Sequence, residues 1–261
     1  MVGRRAAQMI PALAMVTLAG CSLWQREAAP ITPPTRSSPA PTLPTNEPRS
    51  RYGNPEFYDV LGKRYVPLKT ADGFTERGIA SWYGPDFHGG LTSTRETYDM
   101  YQMTAAHKVL PLPTWAEVKN LSNGRTTLVR VNDRGPFKDN RIIDLSYAAA
   151  LQLDIVKAGT AFVEIRAVAS SVASAAPAPT SRAAPPMYLQ IGAFGERANA
   201  ERLKTQLDPK FGTGLRIYAD PPTAPTLYKV QLGPLSDVAA ADHAVAVLEE
   251  LGIRDHHLVT Y

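Results

Sequence analysis

The chain has 261 residues with a formal net charge of +4, and it contains 23 prolines and a single cysteine. One cysteine excludes an intrachain disulfide, and the small basic excess does not by itself indicate a nucleic-acid partner. The length suggests one or two domains, and the prolines fall mostly in segments poor in core residues, so we expect the folded part to be shorter than the chain.

The first twenty residues have the pattern of a bacterial secretory signal. Arg4 and Arg5 precede an apolar run over residues 6–19, and small residues follow it. The run is too short, and too closely followed by polar residues, to be a good membrane-spanning helix. We therefore predict a lipoprotein signal peptide over residues 1–20.

The motif Leu-Ala-Gly-Cys at 18–21 resembles the lipobox of bacterial lipoproteins. The alternative is a chance cysteine beside an ordinary cleavage site. The resemblance implies that Cys21 becomes the lipid-bearing first residue of the mature chain, because acyl chains hold a protein on a membrane surface without a spanning helix. Ser22, rather than aspartate, follows the cysteine, which by the same resemblance favours the outer membrane, at its inner face.

Two extended segments follow the signal. Residues 21–51 are rich in Pro, Thr, Ser and Ala, a composition that cannot bury enough apolar surface to fold, so they predict a disordered tether. Residues 52–75 contain Tyr, Val and Leu interrupted by Gly62 and Gly73. We interpret them as an extended arm that leads into the first domain.

Residues 76–168 have a mostly strand-like pattern. Residues 114–121 alternate between apolar and polar side chains, Asn123-Gly124 is a strong hairpin signal, and residues 126–132 return as the partner strand. Residues 142–145 predict another strand, and Ser146 is placed to cap a short helix. Many short strands with one helix favour a small closed β-barrel.

An Ala/Ser/Pro-rich linker over residues 169–186 separates this domain from a second one over residues 187–261. The second domain has a Gln-apolar-Gly repeat, with a predicted helix after each copy. Ser236 is placed to cap the second helix and Gly252 to end it. The predicted order is β-α-β-β-α-β, with helices on one face of a small sheet and the other face open.

Three groups able to bind or transfer protons, Glu96, His107 and Asp133, lie among turns and short strands of the first domain. Cleavage of a glycosidic bond needs a carboxylic acid to protonate the leaving oxygen and an anion or dipole to stabilise the anomeric carbon. Each residue also has a structural interpretation: a turn aspartate, a solvated loop glutamate and a core histidine. Their spacing alone does not decide between these roles.

The motifs of both domains resemble the rare lipoprotein A family. They are Gly-Ile-Ala-Ser-Trp-Tyr-Gly at 78–84, Phe-His-Gly at 87–89, Thr-Ala-Ala-His-Lys-Val-Leu-Pro-Leu-Pro at 104–113, Val-Asn-Asp-Arg-Gly-Pro-Phe at 131–137 and Asn-Arg-Ile-Ile-Asp-Leu-Ser at 140–146. The resemblance implies a six-stranded double-psi β-barrel, a fold shared with expansins, followed by a C-terminal sporulation-related repeat (SPOR) domain.

The resemblance also implies an activity, endolytic lytic transglycosylation of peptidoglycan. The bond between N-acetylmuramic acid (MurNAc) and N-acetylglucosamine (GlcNAc) would be cut without water, leaving a 1,6-anhydro end. Asp133 matches the catalytic aspartate and is expected to act as general acid and then base. Glu96 and His107 match the other two active-site positions, and we expect them to tune Asp133 and contact the sugar.

The remaining predicted binding residues follow from the same resemblance. Trp82 and Tyr83 are candidates for stacking on sugar rings, with core packing as the alternative for Trp82. Arg134 is a candidate for binding a carboxylate or, alternatively, for fixing the turn. In the SPOR domain the candidates are Gln190, Tyr228 and Gln231. The expected ligand is glycan stripped of its stem peptides, which accumulates at the division septum, so no nucleic acid is expected to bind.

The chain departs from the family pattern before Glu96, where Arg95 replaces a glycine. This departure leaves open a non-catalytic, expansin-like lipoprotein that binds the wall, and a glycosidase that uses water is a further alternative. We expect no cofactor and no metal, because the five histidines show no ligand spacing with the cysteine.

Overall fold

The structure is a computed structural model that describes residues 47–138, 140–168, 186–221 and 226–261. The predicted signal peptide, Cys21, most of the tether and nearly all of the predicted linker lie outside the described residues. Within these ranges, no helix has the length and apolar character that crossing a membrane requires.

The segment before the barrel contains a hairpin that the sequence analysis did not predict. Strands β1 (Tyr58–Val60) and β2 (Lys63–Tyr65) pair antiparallel through a tight turn in which Leu61 and Gly62 both have positive φ. Upstream of it, the Asn54 amide exchanges two hydrogen bonds with the backbone of Leu112, at 2.8 and 2.7 Å. The predicted arm is therefore attached to the barrel.

Six strands close a barrel in the order β3-β7-β4-β6-β5-β8. They are β3 (Thr75–Trp82), β4 (Thr104–His107), β5 (Thr114–Asn120), β6 (Thr126–Asp133), β7 (Arg141–Leu145) and β8 (Thr160–Ala167). The pairs β3/β7 and β4/β6 are parallel, and the other four are antiparallel. This closed barrel confirms the predicted fold.

Apolar side chains from all six strands fill the barrel, and burial alternates strictly along β5 and β7. In β5 the buried positions recur at every second residue, with Ala116 and Val118 fully buried. Val131, Ile143 and Ile165 from neighbouring strands are also fully buried, and each such side chain stabilises the fold by about 1.5–3 kcal/mol.

A short helix packs beside the barrel where the sequence predicts it. Helix α1 (Tyr147–Gln152) begins after Ser146, whose hydroxyl accepts a hydrogen bond from the Ala149 backbone at 3.2 Å. Asn120 fixes the far end of the helix, because its amide donates to the Leu153 carbonyl at 2.9 Å. The predicted capping role of Ser146 is confirmed.

The second domain has the predicted β-α-β-β-α-β order. Its elements are β9 (Met187–Phe194), α2 (Arg197–Phe211), β10 (Leu215–Ala219), β11 (Tyr228–Leu235), α3 (Val238–Glu250) and β12 (His257–Thr260), with sheet order β10-β11-β9-β12. Leu189, Ile191 and Val230 are buried beneath the helices. The predicted cap was wrong by one residue: Asp237, not Ser236, accepts the Ala240 N–H.

The barrel and the second domain pack against each other in the described part of the chain. The Arg141 side chain is 3% exposed, and its guanidinium donates two hydrogen bonds to Asp242 of α3, at 2.8 and 2.7 Å. Ile79 and Phe162 of the barrel cluster with Met187 beside this ion pair. The Arg141 side chain therefore stabilises the contact between the two domains.

Candidate active site

Three carboxylates line one groove at the end of the barrel, and two of them, Asp133 and Asp144, belong to the barrel strands β6 and β7. Strand β4 lies between β6 and β7, and Ala106 pairs with Asp133 on one side and Asp144 on the other. Adjacent strands lie about 4.8 Å apart, so the two aspartate Cα atoms are separated by about 10 Å. The groove between them has a volume of about 470 Å³, and the small Ala106 side chain leaves its centre open.

Asp133 lies in this groove, where the sequence predicts a catalytic residue. Its Oδ1 accepts three hydrogen bonds, from the backbone N–H of Ser93 at 2.8 Å, the Ser93 hydroxyl at 2.6 Å and the Arg134 N–H at 2.7 Å. Three donors on one oxygen stabilise a negative charge there and fix the side chain. The Ser93 contacts were not predicted.

Asp144 is the site residue that the sequence analysis missed. It follows Ile143 in β7 and its side chain points out of the barrel into the groove. Burial is the main influence on its carboxyl and raises its pKa, opposed chiefly by a hydrogen bond from the Ser81 hydroxyl at 2.5 Å. The sequence does contain a pattern that could have identified Asp144: it is an acidic residue between Ile143 and Leu145, two apolar strand residues that face the barrel interior.

Gly135 lets the backbone pass between these two carboxylates. Its φ of +142° is one that residues with a side chain rarely adopt. A Cβ at this position would lie 3.8 Å from Asp144 Oδ2 and 3.7 Å from Ala106 Cβ. A side chain here would therefore occupy the floor of the groove.

Glu96 does not line the groove but pairs with the neighbouring strand. Its carboxylate accepts hydrogen bonds from Arg130 at 2.6 and 2.8 Å and from Asn132 at 2.7 Å. The Arg130 contacts chiefly lower the pKa of Glu96, and Arg130 also binds Glu47 of the tether end at 2.6 Å. This arrangement keeps Glu96 ionised and unsuited to donating a proton.

His107 is also absent from the groove lining. It is 1% exposed, and its Nδ1 accepts the backbone N–H groups of Val109 and Leu110 at 3.2 and 3.1 Å. Because Nδ1 accepts, the ring proton is assigned to Nε2, which donates to Glu76 at 3.0 Å. Both ring nitrogens are therefore occupied: Nδ1 fixes the turn after β4, and Nε2 connects that turn to Glu76 of β3.

Carbonyl groups of the turn after β4 also bind Arg134, the residue that follows Asp133 in sequence. The Arg134 guanidinium donates to the carbonyl groups of Leu110 at 2.6 Å, His107 at 3.1 Å and Gly53 of the arm at 2.9 Å. Burial lowers its pKa to about 10. These carbonyl contacts make Arg134 an anchor between the arm and the barrel rather than an open site for a carboxylate.

The predicted aromatic residues divide between the groove and the core. Tyr83 lines the groove, and its buried hydroxyl has no hydrogen-bond partner among the described residues. Trp82 instead packs on Tyr147, with ring centroids 5.6 Å apart. Phe87 and Leu91, 64% and 68% exposed, also line the groove and were not predicted.

The residues predicted to bind in the SPOR domain do not share one surface. Gln190 and Gln231 lie on the open face of the sheet, but they are only 8% and 0% exposed. Tyr228 packs with the helix-facing core. Of the residues predicted for the barrel site, Asp133, Arg134 and Tyr83 line the groove, whereas Glu96, His107 and Trp82 do not.

The departure at position 95 lies in the hairpin that supports Asp133. Leu91 and Thr97 form the bridge of this hairpin, and Ser93 at its tip donates to Asp133. Arg95 has a φ of +70°, a left-handed conformation that costs about 1 kcal/mol relative to glycine. Its guanidinium lies 5.3 Å from the Tyr52 ring centroid, a contact that offsets part of the strain.

We expect Arg95→Gly to be more stable than Arg95→Ala by about 1 kcal/mol. Both variants lose the contact with Tyr52, so the difference between them isolates the backbone strain. Chemical denaturation of the two variants measures it. Equal stabilities would show that the left-handed conformation carries no strain.

Two family models match the chain. The model described as lytic transglycolase matches residues 75–165, and the SPOR domain model matches residues 183–259. The first corresponds to the barrel and the second to the β-α-β-β-α-β domain.

Curated relatives carry the name endolytic peptidoglycan transglycosylase RlpA. The chain is 51% identical to the Vibrio cholerae protein over 162 residues, which cover 60% of this chain and 61% of that one. It is 40% identical to the Neisseria meningitidis protein over 194 residues, 72% of this chain and 77% of that one. Identity to the Pseudomonas aeruginosa protein is 37% over 234 residues, 68% of each chain. With these identities and both domains matched, the chain belongs to the RlpA family.

Proposed function

We propose that this protein is an endolytic peptidoglycan transglycosylase that cleaves the β-1,4 bond between MurNAc and GlcNAc in peptide-stripped glycan. Relatives bearing that name support the reaction class. The single observation that carries the proposal is the groove in which Asp133 and Asp144 flank Ala106 in different environments. Pairs of carboxyl groups held in unlike surroundings divide acid and anion roles.

The walls of the groove suit a sugar polymer. Phe87 and Leu91 present apolar surface to the groove, on which the faces of pyranose rings pack. Tyr83 and Tyr98 add aromatic rings to the groove lining, with ring centroids 4.5 Å apart. The groove is open, which fits a strand cut at internal bonds.

Asp144 is suited to carry the proton. Burial raises its pKa, and a carboxyl with a raised pKa is a better proton donor near neutral pH. Asp144 protonates the bridging oxygen as the bond from C1 of MurNAc breaks. It then takes the proton of the 6-hydroxyl as that oxygen bonds to C1, so the 1,6-anhydro product forms and no water is consumed.

Asp133 is suited to remain an anion. The donors on its Oδ1 stabilise a negative charge, which in turn stabilises the positive charge that develops at C1. The sequence analysis assigned the proton to Asp133 instead. That assignment stays a prediction, and the experiment below separates the two roles.

Glu96, His107 and Arg134 act as positioning residues in this proposal. Glu96 and Arg130 brace the strand that ends at Asp133. His107 fixes the turn whose carbonyl groups bind Arg134. Their substitution should lower activity by displacing Asp133 rather than by removing a proton donor.

The cell envelope is the proposed location. Cys21 would carry the lipid, the tether would lift the barrel from the inner face of the outer membrane, and the SPOR domain would concentrate the enzyme at the division septum. The SPOR match supports binding to peptidoglycan. Membrane attachment through Cys21 rests on the lipobox resemblance.

Cys21→Ser should release the protein from the membrane, because no acyl chain could then be attached. Fractionation of cell envelopes measures this, with Ser22→Asp as the matched variant. Ser22→Asp should leave the protein lipidated but move it away from the outer membrane. Retention of the Cys21→Ser protein in the outer membrane would contradict the proposed anchor.

Asp144→Asn should lower glycan cleavage by about 100-fold to 10,000-fold, because asparagine cannot donate the proton. Asp133→Asn should lower cleavage while leaving the alkaline limb of the pH profile in place, since the proton donor remains. Mass spectrometry of digested, peptide-free glycan measures both effects. Asp154→Asn is the control, because Asp154 is an exposed aspartate with a positive φ that asparagine also tolerates.

The products separate the proposal from its alternatives. Anhydro ends support the transglycosylase, reducing ends would indicate a hydrolase that uses water, and no cleavage would leave a binding protein. Full activity of Asp144→Asn with loss of activity in Asp133→Asn would show that Asp133, not Asp144, is the proton donor.

Asp144→Asn should also stabilise the fold at neutral pH. Because the pKa of Asp144 is raised in the folded state, its contribution to stability is fully present below the unfolded pKa of about 3.8 and is lost as pH rises through the folded pKa. The gain in stability of the variant should therefore grow from pH 4 to pH 7. Denaturant unfolding of both proteins across this range measures it, and a gain independent of pH would contradict the burial argument.

A further inference from the structure

A cation surrounded by tyrosines lies on the open face of the SPOR sheet. The Arg216 Cζ atom is 3.5 Å from the Tyr188 ring centroid, 5.6 Å from that of Tyr261 and 5.8 Å from that of Tyr218. The rings of Tyr218 and Tyr261 are themselves 4.3 Å apart. We call these four residues the Arg216 cluster.

Arg216 is held by neutral groups. Its Nε and Nη2 both donate to Gln231 Oε1, at 3.1 and 3.0 Å. The fully buried Gln231 in turn donates to the Tyr261 hydroxyl. Among the described residues, no carboxylate forms an ion pair with Arg216, and neither of its hydrogen bonds uses Nη1. The outer edge of the guanidinium therefore keeps donors for an anion.

The neighbouring cation on this face provides a contrast. Lys229, paired with Tyr218 across the strands, binds Asp220 at 2.7 Å. Its charge is therefore neutralised within the protein, whereas the charge of Arg216 is not. Among the described residues of this face, Arg216 is a cation without a paired carboxylate, and it lies between aromatic rings, of which Tyr261 is 51% exposed.

We propose that Arg216 binds the free lactyl carboxylate of muramic acid and so makes the SPOR domain select peptide-stripped strands. This inference rests on the proposed function, because it takes peptidoglycan as the ligand. The lactyl group of MurNAc ends in a carboxylate only after the stem peptide is removed, since the peptide is joined there as an amide. An arginine fork recognises a carboxylate and gains little from an amide.

The tyrosines complete the match to a carboxylated sugar. The ring faces of Tyr218 and Tyr261 pack against pyranose rings, while Arg216 binds the lactyl carboxylate of the adjacent MurNAc. A lysine would supply the charge but not two parallel hydrogen bonds, so the planar guanidinium adds a preference for the geometry of a carboxylate.

The test uses the full chain carrying Asp144→Asn, with binding measured by calorimetry on two probes. One probe is peptide-stripped glycan, and the other is the same glycan with its carboxylates converted to methylamides. The protein should bind the carboxylate form about tenfold or more tightly, as expected of a charged hydrogen bond. Equal binding of the two probes would overturn the proposal without any further variant.

Arg216→Gln should bind both probes equally, with the weaker affinity, and Arg216→Lys should retain part of the preference. The matched control is Arg202→Gln, which removes an exposed arginine from α2 and should keep the full preference. A preference for the carboxylate probe that survives in Arg216→Gln with an unchanged melting temperature would overturn the proposal. Because binding is read without cleavage, loss of the preference is distinguishable from failure of the proposed enzymatic reaction.

Discussion

The pairing of Ala106 with Asp133 on one side and Asp144 on the other fixes the chemistry available to the barrel. Both pairings require β4 to lie between β6 and β7, one parallel and one antiparallel. Their surroundings differ because backbone and hydroxyl donors hold Asp133, whereas Asp144 is largely buried and accepts a hydrogen bond from the Ser81 hydroxyl. One sheet register therefore produces both the shared groove and the unlike environments.

Local pattern was sufficient for much of the fold. The alternation of β5, the Asn123-Gly124 turn and the Ser146 cap each depend on neighbours in sequence, and the structure contains all three. Strand β4 was not predicted because four residues, Thr104–His107, contain neither alternation nor a run of branched side chains. The hairpin of β1 and β2 was missed because its turn places Leu61, a poor turn residue, at positive φ.

The candidate site was predictable only in part, because its members meet through distant pairings. Asp133 was identified through its motif, but Asp144 joins it only when β7 pairs with β4. His107 was assigned to the site because it matches an active-site position of the family, yet backbone N–H groups and Glu76 occupy both of its nitrogens. Such occupancy depends on the turn after β4, which sequence spacing does not reveal.

The hydrogen bonds of Arg134 show that the structural unit containing the barrel begins earlier in the chain than predicted. The barrel was predicted to begin at residue 76, yet Gly53 and Asn54 of the arm accept hydrogen bonds from Arg134, which adjoins Asp133. A barrel cut at residue 76 would lose these acceptors and leave the half-buried guanidinium with fewer partners, a costly state. The arm is therefore part of the same packed unit as the barrel, and this unit begins before residue 76.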